Sequence, residues 1–117
     1  MVAFTLRESI SATHNNWGAL LWTRSTGRGH LAPLRDGAYR PYPITDIVDR
    51  VGAGDSFAGA LLYALDEPEL GKTPEACVAF AAAASCLCHT IRGDFNFVSR
   101  AEVMALMGGD TSGRVRR

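Results

Sequence analysis

Gly52-Ala53-Gly54-Asp55 is the part of this 117-residue sequence best suited to chemistry. A short apolar run, Ile44 to Val48, leads into it as a strand, and an amphipathic run, Ser56 to Leu65, follows at once as a helix. Glycines let a backbone approach a ligand closely and take up positive φ. The first amides of a helix have no intrahelical partner, and the helix dipole adds partial positive charge there. A strand, a glycine turn and a helix start therefore make an anion site fit for a phosphate, with Asp55 at its edge as a candidate base. The structural alternative is a glycine turn with Asp55 as the helix N-cap, a position that Asp favours.

Two common phosphate motifs are excluded. A dinucleotide fingerprint needs Gly where Phe57 stands. A P-loop needs Lys and Ser or Thr after Gly59, where Ala60 and Leu61 stand. Gly71-Lys72-Thr73 lacks the upstream glycine, since Asp66 occupies that position and Pro68 interrupts.

The longer run Asp49-Arg50-Val51-Gly52-Ala53-Gly54-Asp55-Ser56-Phe57-Ala58-Gly59-Ala60 resembles the C-terminal signature of the ribokinase-like (PfkB) sugar kinases. The resemblance implies that the Gly52, Ala53 and Gly54 backbone forms an anion hole for ATP phosphates and that Asp55 is the catalytic base. It also implies Mg²⁺ on the phosphates and a monovalent cation such as K⁺ beside the loop. Asp49 and Gly93 match the cation positions. Ala82 and Ser85 fall where the family's small-residue helix faces adenine. A turn role for Asp49, and close helix packing for Ala82, Ser85 and Gly93, account for these residues equally well.

Further segments resemble the bacterial 2-keto-3-deoxygluconate kinases: Thr5-Leu6-Arg7-Glu8-Ser9, Asn15-Asn16-Trp17, Gly93-Asp94-Phe95-Asn96, and Met107 to Asp110 followed by Ser112 to Val115. The stretch from Arg24 to Asp36 has no counterpart. The likeness aligns this chain with the C-terminal portion of such a kinase. It implies ATP-dependent phosphoryl transfer to a sugar or sugar-acid hydroxyl, with the substrate and lid regions belonging to an upstream half. Alternatives are a kinase for another sugar or a nucleoside, or a non-catalytic nucleotide-binding remnant. Pairing with the missing half, or a homo-oligomer, is expected of such a chain.

The elements that must position these residues divide the chain in two. Val2 to Leu6 and Trp17 to Thr23 read as strands, Ser25 to Gly29 as turn material, and Asp36-Gly37 as a hairpin turn. Ala38 to Tyr42 reads as a short edge strand beside Pro41 and Pro43. The second half reads as three helices. One covers Ser56 to Leu65; the next starts at Thr73-Pro74 and is apolar on nearly every side. The last opens on the capping box Ser99 to Glu102 and ends at Gly108-Gly109. The expected fold is α/β, the C-terminal part of a ribokinase-like fold: an antiparallel β meander at a sheet edge followed by three helices. Residues 1–109 form the nucleotide-binding portion and 110–117 a polar basic tail.

Lys and Arg together number 12, as do Asp and Glu, so no global field draws in nucleic acid or an anionic membrane. The opening residues lack a signal-peptide layout, and Ala76 to Cys88 is too short to span a bilayer. Three cysteines (Cys77, Cys86 and Cys88) lie in an apolar helix, which points to buried reduced thiols and a cytoplasmic protein. Cys86 and Cys88 project to different sides of a helix, against a zinc site. Glu8, His14 and His30 have no partners at catalytic spacing and read as surface or loop residues. Trp17 and Trp22 read as packing.

Overall fold

A computed structural model describes residues 1–93, 96 and 98–108. Six strands precede three helices: β1 (Val2–Ser9), β2 (Asn15–Thr23), β3 (Arg28–Ala32), β4 (Leu34–Arg35), β5 (Ala38–Tyr39), β6 (Tyr42–Ile44), α1 (Ala53–Asp66), α2 (Pro74–Cys88) and α3 (Arg100–Met107). The four-stranded sheet is antiparallel and centred on β2. β1 runs along one side of β2, with Val2 opposite Trp22 and Ser9 opposite Asn15. The other side is shared: β3 pairs with Ala19 to Thr23, and β6 with Asn15 to Trp17. This is the expected meander, with β1 as an edge strand.

Arg24 to Asp36, which sequence patterns leave unplaced, forms the turn of the β2–β3 hairpin, strand β3 and then β4. Strand β3 starts at Arg28, inside the stretch expected to be turn. Asp36 and Gly37 both have positive φ, at 52° and 77°, as a two-residue hairpin between β4 and β5 requires. The expected strand from Ala38 to Tyr42 is two strands broken at Arg40-Pro41. The β4–β5 hairpin lies over the outer face of the sheet, where Tyr39 packs so closely on Gly18 that a side chain there would collide with its ring.

Alternation along β2 sends Asn15, Trp17, Ala19, Leu21 and Thr23 inward. They meet α2, which packs against β2 and β3 and is flanked by α1 and α3. Eleven of the fifteen α2 residues are buried, as its all-round apolar composition demands. Its N-cap is Thr73, whose Oγ1 accepts the Ala76 amide at 3.1 Å, with Pro74 at the first helical position. Helix α1 buries Phe57, Leu61 and Ala64, one stripe at helical spacing, and leaves Leu62, Tyr63 and Leu65 exposed. Helix α3 carries the full capping box between Ser99 and Glu102. The motif beginning at Met107, the tail at 110–117, and Asp94 and Phe95 lie wholly or partly outside the described residues.

Candidate active site

The segment expected to enter the glycine loop as a strand does not. Strand β6 ends at Ile44, and the amides beyond it bond to loops. Ile47 donates to the Thr13 carbonyl at 3.2 Å, and Val48 and Asp49 donate to the His89 carbonyl at 2.9 and 3.3 Å. These bonds fasten the approach to the end of α2 instead of to a neighbouring strand. Asp49 then clamps the turn. One of its carboxylate oxygens accepts the Val51 amide at 3.0 Å, and the other accepts the Gly93 amide at 2.9 Å. Those bonds, Val51's foremost, hold its carboxyl below the usual carboxylate range.

Gly52 has φ of 85°, left-handed backbone that suits glycine, and it is the N-cap of α1. The helix therefore begins at Ala53, three residues before Ser56. Its first intrahelical bond runs from the Ser56 amide to the Gly52 carbonyl at 2.8 Å. The amides of Gly54 and Asp55 fall in the first turn, ahead of that bond, where helix geometry provides no partner. Asp55 is exposed at the third helical position, so it is not the N-cap. Its charge is favourable in the first turn of a helix, but it closes no capping bond.

The loop opens onto a cleft of about 460 Å³. Ala53 and Gly54 form one wall, Thr5 and Arg7 of β1 another, and Arg50 closes a third side above Trp17 and His89. Trp17 is held from below: its Nε1 donates to Ser85 Oγ at 2.8 Å, and the His89 ring meets it edge-on with centroids 4.7 Å apart. His89 Nδ1 lies 2.9 Å from the Ser85 carbonyl and 3.2 Å from that of Cys86. Both partners are acceptors, so Nδ1 carries the hydrogen and Nε2 the lone pair. Burial, foremost, and the charges of Arg50 and Arg7 keep the imidazole pKa below its ordinary value.

The residues expected at the site separate into two groups. Ala53 and Gly54 line the cleft, Gly52 and Asp55 flank them in the chain, and Asp49 and Gly93 are joined by a hydrogen bond. Ala82 and Ser85 are fully buried, the Ser85 hydroxyl donating to the Ala81 carbonyl at 2.8 Å while accepting the Trp17 indole. Both side chains are covered within this chain, and Ser85 meets the sheet through Trp17. Arg7, Arg50 and His89 were missed, and the signal that brings them in is tertiary. Arg50 Nη2 donates to the Ser11 and Ala12 carbonyls at 3.3 and 2.5 Å, a link across nearly forty residues.

His30 also departs from expectation. It is buried, with Nδ1 at 3.1 Å from Glu75 Oε1 and Nε2 at 2.9 Å from Thr26 Oγ1, and it pins the β2–β3 hairpin to the start of α2. Glu8 is exposed as expected and accepts Asn16 Nδ2 at 2.7 Å. Trp17 packs in the core, while Trp22 is exposed on the outer face. The three thiols are buried, and Cys77 donates to the Leu70 carbonyl at 3.3 Å.

The model of the pfkB family of carbohydrate kinases matches residues 19–99, which includes the glycine loop, α1 and α2. The chain belongs to this family. Among solved structures, 2-dehydro-3-deoxygluconokinase from Thermotoga maritima is 47% identical with a TM-score of 0.75; the match covers 92% of this chain and 29% of that one. A PfkB family carbohydrate kinase from Listeria grayi is 33% identical with a TM-score of 0.75, covering 91% of this chain and 29% of the other. The curated 2-dehydro-3-deoxygalactonokinase of Haloferax volcanii is 38% identical over 104 residues, 88% of this chain and 29% of that protein. This kinase-family chain thus spans under a third of the length of these relatives. Among its described residues, no helix is long and apolar enough to cross a membrane.

Proposed function

We propose that this chain carries the phosphate-binding and proton-accepting part of an ATP-dependent kinase for a sugar-acid hydroxyl of the 2-keto-3-deoxygluconate type. The observation that carries the reading is Asp55: exposed, without a capping duty, in the first turn of a helix whose free amides border a cleft. The 47% identity to the Thermotoga maritima enzyme supports the substrate class.

Phosphoryl transfer depends on positioning and charge stabilisation more than on covalent work by the protein. The amides of Gly54 and Asp55, with that of Ala53 beside them, face the terminal phosphate and stabilise charge on its oxygens. The Asp55 carboxylate accepts the proton of the sugar hydroxyl. The sugar oxygen bonds to phosphorus as the bond to the bridging oxygen breaks, and that electron pair leaves with ADP. Trp17 and His89 close the cleft floor against water.

Among the described residues no three His, Cys, Asp or Glu side chains converge. Mg²⁺ would be held by the nucleotide phosphates and would supply charge neutralisation there. A monovalent cation such as K⁺ would lie against Asp49, whose oxygens retain lone pairs beyond the two amide bonds.

A second reading, a nucleotide-binding portion without turnover of its own, rests on the 29% coverage of the Thermotoga maritima enzyme. Asp55→Asn tests the first reading. In a chain extended to the full length of its relatives, turnover should fall by roughly 10²–10⁴-fold, as loss of a general base does. The melting temperature should hold, because the exchange removes only a dipole interaction worth less than about 1 kcal/mol. Near-parental turnover would end the catalytic assignment. Parental turnover by the 117-residue chain itself would end the second reading.

A further inference from the structure

Backbone amides bring only partial charges to a phosphate. Two full charges stand nearby without a described role. Arg7 extends from edge strand β1, opposite Trp17 in register, and Arg50 comes from the loop just ahead of Gly52. They arrive from different elements and line the same cleft as Ala53 and Gly54. Neither forms an ion pair among the described residues. Arg50, a lining residue, is anchored through Nη2 alone, which leaves Nη1 and Nε without a partner among the described residues.

Apart from Asp55, the proposed base, the carboxylates nearest in sequence to the two arginines are engaged by other groups. Glu8 binds Asn16, and both oxygens of Asp49 accept backbone amides. The cleft thus combines two guanidinium groups without an ion pair among the described residues and a helix N-terminus.

We propose that Arg7 and Arg50 bind a polyphosphate in this cleft, each guanidinium taking non-bridging oxygens of a chain whose terminal phosphate rests on the Gly54 and Asp55 amides. The proposal rests on the reading of that loop as the phosphate site. The number of donors argues for a polyphosphate over a carboxylate. One carboxylate satisfies one guanidinium fork, whereas two forks and a set of amides call for several oxyanions in a row.

The test uses the 117-residue chain with Trp22→Phe, so that emission comes from Trp17 at the cleft floor. The probes are inorganic tripolyphosphate and, as a carboxylate of similar size, gluconate. Tripolyphosphate should shift the emission saturably, and gluconate should not. Arg7→Gln and Arg50→Gln should each weaken tripolyphosphate binding by about tenfold or more, with a shallower salt dependence, and Arg7→Lys should recover part of the loss. Arg7 is exposed on an edge strand, so its variants keep the fold and separate charge from folding. Parental affinity in both glutamine variants would overturn the proposal, as would preference for gluconate or no binding by the parent at millimolar probe. In the first case Gly54→Val decides the loop: if it abolishes binding, the loop reading stands without the arginines; if it does not, that reading fails too.

Discussion

Asp49 and Asp55 stand six residues apart around one glycine turn and have opposite surroundings. Each oxygen of Asp49 accepts a backbone amide, one of them from Gly93, so this carboxylate joins the loop to the chain beyond α2. Asp55 is exposed in the first turn of α1 and makes no capping bond. A carboxylate with its lone pairs committed to amides holds a shape. One left open beside free amides can take a proton. The same residue type thus does positioning on one side of the loop and is available for chemistry on the other.

The widest separation is expected between these two residues. Asp55→Asn should lose turnover by roughly 10²–10⁴-fold and keep its melting temperature. Asp49→Asn should do the reverse in kind, lowering the melting temperature because an amide group offers one acceptor where two are used. Thermal melts and turnover on both variants check this, and equal loss of stability in the two would erase the distinction.

The glycines offer the next contrast. Nothing lies within 4 Å of a side chain added at Gly54. Gly54→Val should therefore leave the fold nearly intact while blocking phosphate approach, weakening ATP binding by about tenfold or more in calorimetry. Gly52 holds φ of 85°, so Gly52→Ala should cost about 1–2 kcal/mol of stability in a denaturant titration. If Gly54→Val instead destabilised the chain and bound ATP normally, the two roles would be exchanged.

Beneath the loop, His89 sharpens the comparison through pH. Its folded pKa lies below the unfolded value of about 6.5, so the unfolded chain takes up the proton first. The stabilisation is complete above the unfolded pKa and is lost as pH falls towards and through the folded value. Denaturation midpoints should drop from about pH 7.5 to about pH 5.5, and His89→Gln should flatten that slope. A slope unchanged in His89→Gln would assign it to other groups.

The smallest effect concerns β1, which pairs on one side only and exposes Val2 and Phe4 at 48% and 52%. The isolated chain should self-associate in light scattering, and Phe4→Lys should reduce it. A clean parental monomer would count against an adhesive edge.

What was legible in sequence is what depends on neighbours along the chain. The Thr73-Pro74 start of α2, the Ser99 to Glu102 capping box and the Asp36-Gly37 turn are local rules, and each appears as read. The start of α1 was misjudged by three residues. Asp55 is a strong capping residue by type, yet the left-handed Gly52 supplies the cap first. Strand β3 was hidden because Arg28-Gly29 looks like turn material, and its partner β2 supplies the ladder. Arg7 and Arg50 lie inside the quoted motifs, yet nothing local gives them or His89 a role. They meet only when β1, the loop after β6 and the end of α2 are brought together. Within the candidate site, the residues of the loop were legible, and the charged wall facing them was not.

The most direct test of the account is ATP titrated calorimetrically into Asp55→Asn in a chain of full kinase length, with turnover measured on the same sample. Affinity equal to or tighter than that of the parent is expected, since a negative charge has left the phosphate site, together with turnover lower by roughly 10²–10⁴-fold. Affinity and turnover lost together, or both retained, would contradict the assignment of Asp55 as the base beside an amide-built phosphate site.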